Sequence, residues 1–556
     1  MKICIVGGVA GGAGVAARLR RHDENTTIVM FEKGEHISYA NCGLPYFIGD
    51  VITDEEELYL QTPESFYERF NVDVRVKHEV LSVDTDQKTL TIKDINNHKE
   101  YKESFDVLVL SPGSRPIVFP MPGIDLPHIF TLRNIKDTLN IKKYINDKHV
   151  KHATVIGGGY IGLEMAENLT KIGIKTSIIE AASHVVNTLD DDMATILHNH
   201  IQEHGVELLL NKKAIAFDLN HVVLDDGKHV DADLVLLSIG VAPETSFIAD
   251  SKIKLGRRGE ILVDEQGRTN IENVFALGDA AVIQHVVSKS PMVIPLAAPA
   301  NKQARIVADV IMGKPSKYKG TQGTAIAKVF DKVVAVTGES QRSLDIQKRD
   351  YQTSLSISNH HASYYPGAES LIIKLYFDTT SLVLLGAQII GEQGVDKRID
   401  TCAIAVGYGM KITDLQDFEL AYAPPFGSAK DPVNMAGYVA QNVAEKTTRL
   451  LFPNDLVTIN ISKLDVRDFD ELSEGALVDA VHIPLPQLRS RMHELDQSRS
   501  YAIYCAVGLR GYLAEQILRH HGFDVYNVAG GYYFLKEYFK QHNQELLVLY
   551  EQNIIS

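Results

Sequence analysis

Four cysteines in 556 residues are few, and none has a neighbour. Cys4, Cys42, Cys402 and Cys505 stand far apart, with no C-x-x-C pair and no metal-type spacing. That excludes a zinc site and a local dithiol, so no metal is expected. No apolar run is long enough to span a bilayer. The opening "KICIVGG" is too short and too lightly flanked for a signal peptide. The expected setting is the cytoplasm, with no membrane partner. Basic residues number 56 against 71 acidic ones, a net charge of −15, which argues against nucleic acid as a partner. Small anionic ligands stay open, because local arrangements of backbone and side chain hold them.

What the sequence does have is length and glycine-rich turns. The chain is too long for one core, and three or four domains are expected. "KICIVGGVAGGAGVAARLRR" leads into "TTIVMFEKG": an apolar strand, a Gly-rich turn, an Ala-rich helix and a second strand ending in Glu32. The grammar is that of a βαβ dinucleotide unit, although Val9 stands where the second glycine of G-x-G-x-x-G belongs. "HATVIGGGYIGLEMAENLTKIGIKTSIIEAA" repeats it with Gly157, Gly159 and Gly162 in place, closing on Glu180, 23 positions after Gly157. No Arg or Lys follows in "AASHVVN". A carboxylate there accepts hydrogen bonds from a free 2′-hydroxyl and repels a 2′-phosphate, which favours NADH, with NADPH as the alternative.

Two further strands, in "FDVLVLSPGSRP" and "ADLVLLSIGVAPE", end in glycine turns, and "TNIENVFALGDAA" sets Asp279 just after another strand. With these, the chain resembles the flavoprotein disulfide reductases that carry two dinucleotide-binding units. The resemblance covers Met1 to about Ala444. It implies that Gly7, Gly12, Glu32, Asn41, Gly113, Asp279 and Ala298 hold FAD. It assigns Gly157, Gly159, Tyr160, Gly162, Glu180 and Gly240 to NADH. Tyr160 matches a position that gates the nicotinamide side of the flavin; the alternative is an ordinary packed aromatic.

Cys4 lies in an apolar strand and Cys402 in a helical pattern, where each reads as a small buried hydrophobe. Cys42, in "SYANCGLPY", is left as the lone thiol on the flavin side. It can pass through a mixed disulfide or through a sulfenic acid. "SYANCGLPY" resembles the signature of the coenzyme A-disulfide reductase branch. Ala10 replaces the His that handles peroxide protons in single-cysteine peroxidases and oxidases. "HHASYYPGAES" and "ELAYAPPFGSAKDP" resemble C-terminal segments of the same branch. They imply that Tyr364 and Tyr422 assist a departing thiolate across a homodimer, with Tyr365 in competition. Coenzyme A would lie near Arg18, Arg21, Ser38, Asn41, Gln61, Thr62 and Tyr365. Arg20 completes an expected basic patch on the first helix.

After "AEKTTRLLFPNDL" the chain resembles a rhodanese domain, through "LDVRD", "CAVGLRG" and "AGGY". Its loop would use backbone N–H groups around Cys505, with Gly508 and Arg510, to lower the thiol's pKa and stabilise a persulfide. Ala476 stands where that family has a His.

The expected fold class is α/β. Two Rossmann-like dinucleotide-binding domains are joined by an α+β dimerisation domain and a C-terminal α/β rhodanese domain. The expected boundaries are residues 1–112 and 248–319 for the FAD domain, 113–247 for the NAD domain and 320–446 for dimerisation. Residues 447–456 read as a linker, 457–540 as the rhodanese domain and 541–556 as a tail of unknown role. The expected function is NADH-dependent reduction of CoA disulfide, CoA persulfide or polysulfide through Cys42, with Cys505 delivering sulfane sulfur. The alternatives are an NADH oxidase or peroxidase cycling through Cys42 sulfenic acid, and a redox-sensing flavoprotein that does not turn over.

Overall fold

In the computed structural model, which describes residues 1–548, the chain forms two compact units. The first comprises residues 1–182 and 206–323, and the second residues 183–205 and 324 onward.

The first unit holds two five-stranded parallel sheets. One runs Val274–Ala276, Val107–Leu110, Lys2–Val6, Thr27–Glu32, Asp73–Val76. The other runs Glu207–Leu210, Lys175–Glu180, His152–Ile156, Leu234–Leu237, Ile129–Thr131. Parallel sheets are covered on both faces, so their strands are apolar throughout rather than alternating. In Lys2–Val6, Ile3 and Ile5 pack beneath the helix Ala10–Arg20, while Cys4 and Val6 face the opposite core. Cys4 is fully buried, and burial pushes its thiol up to about 12, so it is an inert filler. The crossovers place a Gly-rich turn and a helix N-terminus at the carboxyl end of each first strand, where ligands bind in such sheets. No helix among the described residues is long and apolar enough to cross a membrane.

The second unit contains a five-stranded antiparallel sheet ordered Ala325–Val329, Lys332–Gly338, Leu384–Gly391, Ser370–Asp378, Tyr351–Asn359. It also holds a five-stranded parallel sheet ordered Leu450–Leu451, Asp524–Val528, Ser500–Tyr504, Ser462–Asp465, Ala480–His482. Cys402 is buried in the helix Val395–Gly407.

Three expected boundaries shift. Residues 183–205, expected inside the NAD domain, group with the second unit. Lys374, 2% exposed, explains part of this: its ammonium reaches Asp190 (2.7 Å) and Asp192 (2.8 Å) at the start of the helix Asp191–Glu203. The expected linker 447–456 is structured, because Leu450–Leu451 is an edge strand of the parallel sheet and Pro453 opens the helix Pro453–Thr458. Proline at that helix start removes an N–H that would have no partner anyway, so a residue read as a linker signal serves as a helix starter. Of the expected tail, Leu547–Val548 pairs with Ala476–Leu477, and residues 549–556 lie outside the described residues.

Candidate active site

The two Gly-rich turns are built alike. Gly7 has φ +98°, and a Cβ there would sit 2.0 Å from the Ser111 carbonyl oxygen. Gly157 has φ +105° with the Ser238 carbonyl in the equivalent place. A Cβ at Gly12 would meet the Gly7 carbonyl at 1.8 Å, and one at Gly162 the Gly157 carbonyl at 2.0 Å. Only glycine lets each helix press onto its turn. Around Gly159 a Cβ would touch nothing within 4 Å, which leaves room for a phosphate to approach the backbone. Neither helix, Ala10–Arg20 nor Tyr160–Lys171, carries an acid in its first turn, as an anion-binding N-terminus requires. Glu32 accepts N–H bonds from Gly8 (2.9 Å) and Gly34 (2.8 Å), and Glu180 from Gly158 (2.7 Å) and Ala182 (2.8 Å). Each carboxylate is thereby fixed beside its turn. Both turns fit a dinucleotide, and Val9 at the second glycine position serves as the N-cap of its helix without obstructing the close approach at Gly12.

Cys42 lies in the single turn Asn41–Gly43, just before the helix Leu44–Ile48, and is exposed. The Ser38 N–H donates to the Gly8 carbonyl (3.0 Å), which holds this segment over the first Gly-rich turn. Ser38 itself adopts φ +44°, the left-handed region. With its amide oriented to satisfy both groups, Asn41 donates to the Arg133 carbonyl (3.0 Å) and accepts from the Arg133 guanidinium (3.1 Å). Arg133 also donates to the Ser114 carbonyl (2.8 Å) and lies 3.4 Å from Asp279. Asp279 accepts from the Ser114 hydroxyl at 3.0 Å. Gly113, with φ +73°, turns the chain beside this group, and a Cβ there would meet the guanidinium at 3.0 Å. Ala298 is the second residue of the helix Ala297–Ile311, and Gly240 takes φ +110° directly before the short strand Val241–Pro243.

Burial pushes the Cys42 thiol above its ordinary value, Glu164 and Asp279 push the same way, and Arg133 opposes them. Glu164 receives a hydrogen bond from the Tyr46 hydroxyl (3.3 Å), and burial raises its own carboxyl. The chain alone therefore favours the thiol over the thiolate at Cys42, and a bound positive or oxidising group would reverse that. Arg133 and Glu164 are absent from the residues the motifs point to, and Tyr46 closes the "SYANCGLPY" motif without a role assigned to it there. Glu164 sits one turn along the second Gly-rich helix, inside the same "GGGYIGLE" run as Tyr160, and that position is its only signal in the sequence.

The expected coenzyme A residues fare unevenly. Arg20 is buried and donates to the carbonyls of Asp23, Thr26, Phe70 and Asn71, so it belongs to the core and not to a surface patch. Arg18 pairs with Asp309 (2.8 Å), leaving Arg21 exposed beside it. Thr62 spends its hydroxyl capping the helix Pro63–Phe70, where it accepts from the Ser65 N–H, and the Gln61 amide donates to the Leu60 carbonyl (2.7 Å). The alternatives at Thr62 and Gln61 are thus local structural roles.

In the second unit Tyr364 and Tyr422, both exposed, share a 2.9 Å hydrogen bond between their hydroxyls. That bond raises the Tyr364 phenol. Tyr365 instead sits edge-on to His361, and does not join the pair. The Cys505 loop follows the strand Ser500–Tyr504 and precedes the helix Leu509–His520. Cys505 is 1% exposed, and the Gly508 N–H donates to its sulfur at 3.1 Å, with Gly508 at φ +111°. The charge of Arg510, expected to act on the sulfur, does interact with Cys505, and the residue's hydrogen bonds go to acids. Its guanidinium is bidentate on Glu471 (2.6 Å twice) and reaches Asp468 (2.9 Å).

Residues 1–304 match the family of pyridine nucleotide-disulphide oxidoreductases. The chain belongs to that family. Residues 324–432 match its dimerisation domain, and 454–537 a rhodanese-like domain. A coenzyme A disulfide reductase of Staphylococcus aureus is 36% identical over 79% of this chain and all of its own length. The reduced CoADR-RHD of Bacillus anthracis is 44% identical, covers 98% of this chain and 99% of its own, and has a TM-score of 0.95. A NAD-dependent persulfide reductase of A. fulgidus is 32% identical over 96% of this chain and 100% of its own, with a TM-score of 0.92. The α/β class, the two Rossmann-type units, the dimerisation domain and the rhodanese domain expected from the motifs are thus all present.

Proposed function

We propose that this family member is an NADH-dependent reductase of coenzyme A disulfide, coenzyme A persulfide or polysulfide, with Cys505 as its sulfane-sulfur carrier. The observation that carries the reading is the solitary exposed Cys42, held over the first dinucleotide turn beside Arg133, Asn41 and Glu164. No other cysteine lies near Cys42 in the sequence, and Cys4 and Cys402 are fully buried, so a substrate thiol is the partner that completes the pair in this reading. When bound, FAD supplies the two-electron relay between the nicotinamide and Cys42. The residues that would hold it are Gly7, Gly12, Glu32, Asn41, Gly113, Asp279 and Ala298.

The Cys42 thiolate attacks the inner sulfur of CoA–S–SH. The substrate S–S bond breaks, a Cys42–CoA disulfide forms, and HS⁻ leaves with a proton to follow. Reduction of that mixed disulfide by the two electrons of one NADH returns both thiols. The Tyr364–Tyr422 pair of one protomer would supply the leaving HS⁻ or thiolate of the other with its proton; within the pair, the phenol that accepts the hydrogen bond keeps its own O–H free to donate. Both Glu180 oxygens accept backbone N–H bonds, which fixes the carboxylate beside its turn, where it would accept a ribose 2′-hydroxyl and repel a 2′-phosphate; this supports NADH over NADPH. Exposed Ile404, Tyr408 and Phe426, all within residues 324–432, support a homodimer through that region. Carrying the sulfur donor on the same chain raises its effective concentration.

The test is NADH consumption with coenzyme A persulfide as the sole acceptor, in the wild type and in Cys42→Ser. Turnover that Cys42→Ser abolishes is the expected result. Faster consumption with oxygen or peroxide would establish the sulfenic-acid oxidase instead. A single slow turnover with every acceptor would point to a redox sensor.

A further inference from the structure

Arg510 closes the Cys505 loop, and its charge is more than cancelled where it stands. One guanidinium, whose charge interacts with Cys505, faces two carboxylates, Glu471 and Asp468, so this ion cluster carries a net negative charge. Arg510 holds the Glu471 carboxyl below its ordinary range, so it stays ionised at neutral pH. Nor can the acid swing aside easily. Glu471 also accepts the Asp468 N–H (2.8 Å), and its backbone carbonyl accepts from Arg467 (3.2 Å). Arg467 is 1% exposed, pairs with Asp465 and donates to the Gly475 carbonyl (2.7 Å). The "LDVRD" motif is therefore a buried brace, and what it braces is an acid at the mouth of the loop. On the other flank, Tyr533 donates its N–H to the Ala506 carbonyl (3.0 Å). Its phenol is pushed up by burial and then by Glu537, Glu392, Glu369 and Glu203.

We propose that Glu471 and Asp468 select the sulfur donor of this domain, excluding dianionic donors such as thiosulfate and admitting persulfides, whose sulfur end carries at most one charge. The inference rests on the reading of Cys505 as a sulfur carrier and adds the class of donor. With a persulfide, the Cys505 thiolate attacks the outer sulfur of R–S–SH. The S–S bond of the donor breaks, a new S–S bond at Cys505 forms, and R–S⁻ departs to take up a proton. With thiosulfate the same attack would expel sulfite, and three negative charges would crowd beside two carboxylates as the new S–S bond forms. A free Arg510 would stabilise that state more than one engaged by two carboxylates does.

The test compares the rate at which Cys505 gains one sulfur, read from the mass of its peptide, with thiosulfate and with cysteine persulfide. The full-length wild type, Glu471→Gln and Asp468→Asn are each measured across a range of salt. Glu471→Gln keeps the shape and one of the two hydrogen bonds to Arg510 but removes the charge. It should raise the thiosulfate rate by about tenfold and change the persulfide rate less than about twofold. Added salt should speed thiosulfate loading of the wild type and do so less in the variant, because screening weakens repulsion. Asp468→Asn, at an exposed position, should move the same way by a smaller step. An unchanged thiosulfate-to-persulfide ratio and salt slope in both variants would overturn the proposal while leaving the carrier intact. A Cys505 loaded by neither donor in any variant would overturn both.

Discussion

His198 offers a pH test of how the second unit is held together. The residue is buried on the helix Asp191–Glu203, where its Nε2 accepts from the Val185 N–H (3.2 Å) and its Nδ1 lies 3.1 Å from the Gln541 side-chain oxygen. Gln541 ends the helix Gly531–Gln541 that follows the Cys505 loop's domain core, and Asn199 holds the same helix through the Glu537 carbonyl (2.8 Å). Burial lowers the His198 pKa from 6.5 to about 3, with a small opposing effect from Gln541. The packed state binds fewer protons than the opened one below pH 6.5, so its stability is complete above that value and declines as pH falls toward 3. Between pH 7.5 and 5 the loss is about 2 kcal/mol, or about thirtyfold in the opening equilibrium. Hydrogen exchange of the amides of Gly531–Gln541 reads that opening directly. Other ionisable groups lie nearby, including His184, His542 and Asp191, so the comparison is with His198→Gln. The wild type should show the steep loss of protection and the variant a shallow one. Equal slopes in the two proteins would refute the assignment of the pH dependence to His198.

Glu164→Gln removes the carboxylate that, after burial, does most to raise the Cys42 thiol, so the thiolate should become easier to form; alkylation of Cys42 at pH 8 should speed up about threefold or more. Gly162→Ala places a methyl 2.0 Å from the Gly157 carbonyl, which forces the second Gly-rich helix off its turn; the KM for NADH should rise at least about tenfold while flavin content is retained. Tyr422→Phe removes one hydroxyl of the tyrosine pair and should lower kcat by about tenfold to a hundredfold, more for poor leaving thiols than for good ones. A uniform fall with every substrate would instead mark a packing role.

Features that depend on short-range chain geometry are legible in the sequence. Gly7, Gly12, Gly157 and Gly162 announce themselves because no other residue fits where a helix meets its turn, and Glu32 and Glu180 follow at a spacing set by the βαβ unit. Cys42 and Cys505 are legible for a related reason, since each sits in a Gly-bearing turn rather than in an apolar strand or helix. Long-range electrostatics are not legible. Arg133 joins Asn41 and Asp279 across more than ninety positions on one side and more than a hundred on the other, and no local pattern marks it. Arg510 reads as a cation for the sulfur because its partners, Glu471 and Asp468, lie some forty positions away. Arg20 reads as surface because its carbonyl acceptors Phe70 and Asn71 are fifty positions downstream. The segment 183–205 falls in the NAD domain by its place in the chain, whereas partners nearly two hundred or more residues later, a buried lysine among them, hold it.

The central claim, that a substrate thiol completes the disulfide at Cys42, is tested most directly by the mass of the Cys42 peptide from protein purified without reductant. The account predicts the mass of one coenzyme A joined through a disulfide and released by NADH. An added oxygen at Cys42, with no thiol adduct, would contradict it.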